Sequence, residues 1–518
     1  TDLLEARLDG QRLSETGPLF DRLDGTGLSY VGMAEGFSAG LDWMLDQMGD
    51  GPPPEMDIAV EEFSFEAQRF VLTGAYLRPW EYSALTSDHI SAWTGEEVTD
   101  LPDDVFFDFI HIGQQFVAVM RSLGYANAVV EQGTGKLSMR LPDETTQAEF
   151  HIGLQGTSGV AGLDIERNVS FDIRTLETTD MAEIGPYAQE EAYRLSSVDG
   201  LKLDRLAGFI ARSELPGMDQ RELISLGDWA VQDYTLKLND ATVATLKSGQ
   251  FDFSHFDWFI PTEIDMAVDG LTIDFEEVTG FGLALIDALA DDPSLLEGEV
   301  DGADELAQFQ TGLAKALELL PEHGLDTITF SADTRLSWSS ETGATEYVLN
   351  TGADGFGNGA ISLSLTLPGY SQVQAAFESD DMEAAMSEAF ETQFAFNGLR
   401  LFEHDGGGYD KIFGFAQAIG QEYPDEGWGA MLGAMEPADM RNYIATMIRI
   451  GKTEAEAEFP PAGIWLEEIA SYFAEGGELE IKLAPPQPIN KTLIESYDGE
   501  PEPAEIVEIF GISVTHRK

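Results

Sequence analysis

The run Glu403-His404-Asp405, followed by Gly406, Gly407 and Gly408, puts two carboxylates on one side of a strand just before a flexible turn. Backbone carbonyls of such a turn can complete an oxygen-rich cage, and calcium is the cation that donor set takes. The same residues read more readily as a solvated strand end, because acidic turns are frequent in a chain with 94 Asp plus Glu. Asp301, Asp304 and Glu305 admit a weaker calcium reading, as do Asp354 and Asn358, without the full twelve-residue loop of a helix–loop–helix site. Other chemistries leave less trace. The seven histidines never form HExxH or another close pair, so the helical face of a zinc hydrolase is missing. GTGKLS at 133–138 lacks the glycine five positions before Gly135 and has Leu137 where Ser or Thr would meet magnesium, so it reads as a hairpin turn. GFGLAL at 280 and GFGNGA at 355 both lack the third glycine of a dinucleotide fingerprint, and no GxSxG elbow occurs. A hydrolase working with two carboxylates stays open, since in so acidic a chain no motif would single them out.

The densest aromatic run is Phe251, Phe253, Phe256, Trp258 and Phe259. Aromatics carry large buried areas, so packing in a core is one reading. The other is that they line a groove on a wide sheet whose apolar face is incompletely covered, where an acyl chain or extended peptide would lie. Trp80 and Tyr82, after Pro79, allow the same pair of readings.

The elements that must carry these residues are legible as periodicities. Ile361, Leu363, Leu365 and Leu367 alternate with Ser362, Ser364 and Thr366, which describes a strand with one buried and one wet face. Met56 to Val60, Phe63 and Phe65, Ile264 to Val268, Leu271 to Phe275, and Leu479 to Leu483 alternate likewise. Steps of three and four predict helices through Phe109, Ile112, Phe116 and Val119, through Leu306 to Leu320, and through Met440, Tyr443, Ile444, Met447 and Ile448. The expected fold is α+β, an extended, twisted, mainly antiparallel sheet with interspersed helices. Internal repeats are indicated by two echoes. Residues 116–140 and 313–338 each read as a helix, a strand, a turn and a strand, and the segments from Asp269 and Asn397 each run from a Gly-Leu strand through an acidic turn into a helix. The expected division is a helical segment at 1–54, ending in GDGPPP, a first α+β region at 55–295, and a second at 296–518 with a helical insert at 406–473.

Composition bounds the partners. With 28 Lys plus Arg against 94 Asp plus Glu, the formal charge is −66, which repels nucleic acid and anionic membrane surfaces. Hydrophobic residues at 43% are enough for a core, so wholesale disorder is excluded. Such an excess of acid keeps a protein soluble where salt screens charge, and a saline or halophilic source is expected. The absence of Cys removes disulfides and thiolate chemistry and is neutral about compartment. The chain begins at Thr1 and holds no apolar run of 18 residues, so neither a signal peptide nor a transmembrane helix is expected within it, as in a processed export product or equally in a trimmed chain.

FDFSHFDWFIPTEIDMAVDGLTIDF, the segment Gly324-Leu325-Asp326-Thr327-Ile328-Thr329-Phe330 with its Leu336-Ser337-Trp338 strand, and the closing ELEIKLAPPQPINKTLIESYDGEPEPAEIVEIFGISVTHRK resemble uncharacterised envelope proteins of alphaproteobacteria. That group is loosely similar to the YdgA-like proteins of Gram-negative bacteria. The likeness covers roughly residues 220–518, lies in layout rather than in an invariant motif, and implies an exported protein without known catalytic residues. The expected function is therefore a non-enzymatic periplasmic or extracellular envelope protein that binds a lipid, another apolar ligand or a protein partner in a sheet groove. A secreted, self-assembling subunit bridged by calcium and a carboxylate-dependent hydrolase are the alternatives. Raising NaCl from low to molar concentration should raise the melting temperature by screening the self-repulsion of 66 uncompensated charges; a flat or falling trend would show the carboxylates already neutralised locally.

Overall fold

The computed structural model describes residues 17–31, 59–95, 104–141, 144–159, 163–165, 171–181, 185–238, 241–291, 303–379, 381–424, 427–497 and 501–518. The segment GDGPPP and the acidic stretch 292–302 lie outside them. The fold is α+β with antiparallel strands. The chain divides into two units, Thr1–Ala241 with Ser248–Pro261, and Thr242–Lys247 with Thr262–Lys518, so that the division falls within β9 (Ala241–Asp257) and near the start of β10 (Ile260–Asp274).

The N-terminal unit is a meander. Strands β1 (Gly17–Val31), β2 (Ala59–Leu77), β3 (Leu123–Leu141), β4 (Glu144–Gly159), β6 (Phe171–Met181), β7 (Gly185–Lys202) and β8 (Ser225–Leu238) pair in that order, and β5 (Asp164–Ile165) adds to the end of β7. Helices α1 (Ser87–Thr94) and α2 (Asp104–Ser122) connect β2 to β3, and α3 (Asp204–Arg212) connects β7 to β8. The hairpin expected at GTGKLS is not there. Gly133 to Ser138 lie inside β3, paired to β2 on one side and β4 on the other. Two ladders of backbone hydrogen bonds outweigh the local turn preference of two glycines.

Helix α2 forms where its period predicts, but it is turned over. Gln114 and Ala118 face inward, the latter 1% exposed, whereas Phe116 is 64% exposed and Phe109, Ile112 and Val119 also face out. Polar bonds explain the orientation. Gln114 donates to Ile210 O and Ser213 Oγ and accepts from Leu85 N, and Arg121 and Arg78 both pair with Asp204 on α3. Each buried polar group left unmade would cost about 1–3 kcal/mol, so a satisfied network outweighs burial of one apolar stripe.

In the C-terminal unit β10 (Ile260–Asp274), β11 (Thr327–Trp338), β12 (Ala344–Ala353), β13 (Gly357–Thr366), β14 (Ala395–Asp405), β15 (Gly477–Leu483) and β17 (Ile512–Arg517) are neighbours in that order, with β16 (Ile489–Asn490) extending the row beside β14. Helices α4 (Phe275–Asp291) and α5 (Ala303–Leu319) lie between β10 and β11, α6 (Tyr370–Phe377) and α7 (Met382–Gln393) between β13 and β14. The longest excursion, α8 (Gly408–Glu422), α9 (Gly427–Gly433), α10 (Pro437–Glu458) and α11 (Ala462–Glu475), separates β14 from β15, and α12 (Lys491–Glu495) and α13 (Pro503–Phe510) precede β17. Both the α4–α5 and the α8–α11 excursions leave and rejoin the same end of the sheet, where Asp274 is opposite Thr327 and Asp405 opposite Gly477.

The register sorts side chains by chemistry. Rows of opposed residues, such as Thr334, Leu349, Ile361, Leu401, Ile481 and Val514, or Leu336, Tyr347, Leu363, Leu399, Leu483 and Ile512, lie on one face. The rows between them, such as Arg335, Val348, Ser362, Arg400, Lys482 and Ser513, lie on the other. One face is aliphatic and one polar, as the alternation through Ile361 to Leu367 requires.

Candidate functional site

At the helical end of the aliphatic face the rows turn polar. Thr351, Gly359, Glu403, Leu479 and His516 are opposed across β12, β13, β14, β15 and β17, and the next row toward the turn includes Gly357, Asp405 and Gly477. The Asp354–Phe356 turn between β12 and β13 needs Gly357. It has φ +138°, and a Cβ there would lie 2.0 Å from His404 O. Because Gly357 and Gly359 carry no side chains, the middle of the row is a trough.

Three helices close around the two acids of this end. Arg441, in the first turns of α10, is buried with Asp405, their side chains 7% and 4% exposed, and forms an ion pair with it. Its Nε donates to Asp410 Oδ1 at 2.6 Å and its Nη1 to Phe473 O at 3.3 Å, and its guanidinium lies 5.3 Å from the Tyr409 ring centre. One arginine thus ties α8, α10 and the end of α11 to the tip of β14. Asp405 also accepts from Gly407 N at 2.9 Å. Glu403 accepts from the Tyr409 hydroxyl at 2.8 Å. Burial first, then the bond to Glu403, pushes the Tyr409 phenol from 10.0 up to about 12, and burial with the Glu403 field pushes fully buried Tyr472 up as well. His516 is fixed by its Nε2 contact to Gly476 O at 2.7 Å and by Glu468, which accepts from its backbone N–H at 2.9 Å.

Beside this cluster a groove of about 660 Å³ opens on the aliphatic face. Phe330, Leu349, Ile361, Leu401, Leu479 and Ile481 wall it, Phe356 closes one side, Gly357 and Gly359 form its floor, and Glu403 stands in it. Ile361 lies on the central strand of seven, yet it is 36% exposed. Glu403 and Thr351 are exposed too. The volume falls in the ordinary range for small-molecule sites, roughly 300–1,000 Å³.

Glu403 and Asp405 thus share a face, and each is held by its own donor. Among the described residues no three His, Asp or Glu side chains group as metal ligands. Asp354 sits in the β12–β13 turn and Asn358 on the polar face, while Asp301 and the side chains of Asp304 and Glu305 lie outside the described residues. The aromatic run is divided. Phe251, Phe253 and Phe256 are half-buried on β9, where Asp252 accepts from Ser254 N and Oγ. Trp258 turns the chain at φ +60°, donates from Nε1 to Pro216 O at 3.2 Å and meets Phe259 edge-on at 4.8 Å. None of the five is among the described residues of the groove wall. Trp80 is exposed and Tyr82 half-buried. Arg441, Tyr409, Tyr472 and Gly359 were not anticipated. A signal existed for the first: in a chain with only 28 basic residues, an Arg beside the Met440–Ile448 stripe is out of place unless it meets an acid.

Residues 353–517 match a protein family described only as an uncharacterized protein, and that span contains β13, β14, β15 and every member of the Glu403–Arg441 cluster. No curated protein and no solved structure matches the chain. No helix among the described residues is long and apolar enough to cross a membrane.

Arg441→Met should destabilise the protein by about 3–5 kcal/mol in urea unfolding, because it strands a buried carboxylate. Adding Asp405→Leu should recover part of that loss; a double variant no better than the single one would show that the pair is not coupled. Tyr409 generates a second expectation. Its folded value lies above its unfolded one, so its contribution is present below pH 10.0 and is lost as pH rises toward about 12. Between those values the wild-type melting temperature should fall more steeply than that of Tyr409→Phe, and parallel curves would contradict the assignment.

Proposed function

We propose that the C-terminal unit binds one aliphatic chain in the groove over β11–β15, and that the protein serves as a non-enzymatic carrier or receptor in the cell envelope, periplasmic or extracellular. The observation that carries this reading is Ile361, an aliphatic side chain left open to solvent at the centre of an otherwise apolar sheet face. Fully burying an exposed aliphatic side chain gains about 1.5–3 kcal/mol, and covering what remains open of Ile361 and of half-buried Leu349, Leu401, Leu479 and Ile481 offers an occupant a fraction of that at each. The glycine floor gives the chain room that any side chain at 359 would fill. The resemblance to alphaproteobacterial envelope proteins and the YdgA-like group supports the location, and the charge of −66 disfavours nucleic acid as a partner.

Gly359→Leu tests the reading. Gly359 has an unstrained backbone, and a Cβ there would lie 3.3 Å from Thr351 Oγ1 and 3.5 Å from Phe402 O, so the leucine would plug the trough once the Thr351 side chain gives by a few tenths of an ångström. Organic extraction of natively purified wild type should yield stoichiometric lipid by mass spectrometry, and the variant, matched in melting temperature, should yield little. Equal recovery from both, or none from wild type, would defeat it.

A further inference from the structure

We propose that the groove selects a chain with a positively charged head and discriminates against a carboxylate head, with Glu403 as the selecting residue; this rests on the groove reading above.

Glu403 is exposed and stands in the groove wall between the aliphatic residues Leu401 and Leu479. A carboxylate offers about four acceptor positions. The Tyr409 hydroxyl uses one, at Oε1, and orients the group; the buried Tyr472 hydroxyl faces the same acid, and the exposed side of the carboxylate is left for a ligand. The high Tyr409 value keeps that phenol a donor throughout the physiological range. No Lys or Arg is among the described residues of the wall. Two cations flank it: Arg441 is already paired with Asp405 and Asp410, and Lys411, whose Nζ lies 4.5 Å from the ring centre of Phe356, stands at the side of the groove rather than in its wall. The occupant argued from this complementarity is an alkyl ammonium or a cationic amphiphile. An anionic head would meet Glu403 at close range and the field of the whole chain beyond it.

The test compares dodecyltrimethylammonium, dodecanol and dodecanoate, each below its micelle concentration, by calorimetry at neutral pH and low salt. Wild type should bind the ammonium at least about tenfold more tightly than the carboxylate, with dodecanol between them. The preference should shrink as NaCl is raised. Glu403→Gln, which keeps an acceptor for Tyr409, should bring the ammonium-to-dodecanol ratio toward one. Gly359→Leu should abolish binding of all three. Ammonium binding that survives Gly359→Leu would be adsorption to the acidic surface and would overturn the proposal. So would a carboxylate bound as tightly as the ammonium, and its loss in Lys411→Met would assign head recognition to that lysine. If dodecanol and both charged probes fail to bind, the groove reading falls with it; if all three bind alike, the groove stands and the charge selection falls.

Discussion

Antiparallel register is the constraint from which the C-terminal unit follows. Once Ile361 is opposed to Leu349 on one side and Leu401 on the other, the two-residue pleat fixes the face of every side chain from β10 to β17. The aliphatic rows then demand cover, and the cover must come from the connections, because antiparallel neighbours leave both ends of the sheet free for insertions. Helices enter between β10 and β11, β13 and β14, and β14 and β15. They meet the need unevenly, and the groove is the remainder.

The acids at the tip of β14 set where the helices stop. Asp405 and Glu403 occupy aliphatic-face positions, where a bare carboxylate would be costly to bury. Arg441 on Asp405 and Tyr409 on Glu403 supply side-chain donors, and in doing so bring the starts of α8 and α10 to the same point. The two acids end differently: Asp405 is enclosed and neutralised by a guanidinium, while Glu403 keeps an exposed side beside Ile361 and Leu401. A structural pair and a groove-facing acid thus sit two residues apart on one strand.

The same balance between polar satisfaction and apolar burial accounts for α2 in the N-terminal unit. There Gln114 and Arg121 make the inward bonds, and Phe109, Ile112 and Phe116 are left outside. In both units a hydrogen-bonded polar network decides orientation and the apolar surface adapts. In a chain with so few basic residues, Arg121 and Arg441 hold helices in place because each is the counter-charge to acids that would otherwise repel.

The alternation of Ile361 to Leu367 and of Leu479 to Leu483 was enough to predict strands with one apolar face, and the period through Phe109 to Val119 enough to predict a helix, because pleat and turn are properties of consecutive residues. The pairing of Glu403 with Asp405 on one face was legible for the same reason. What local pattern left open was the choice of partner. GTGKLS has turn-forming glycines and yet runs straight, since β2 and β4 pair with it from both sides. The Phe109 stripe reads as core and faces out, since Gln114 finds acceptors on a segment nearly a hundred residues later. Phe251 to Phe259 read as a candidate groove, but the opening lies over β13, where Gly359 and Ile361 are uncovered by helices whose sequences lie well before or after them. Sequence determined which residues are apolar and how they alternate; tertiary structure alone decided which of them are covered, because coverage is set by elements remote along the chain and by the few cations able to anchor them.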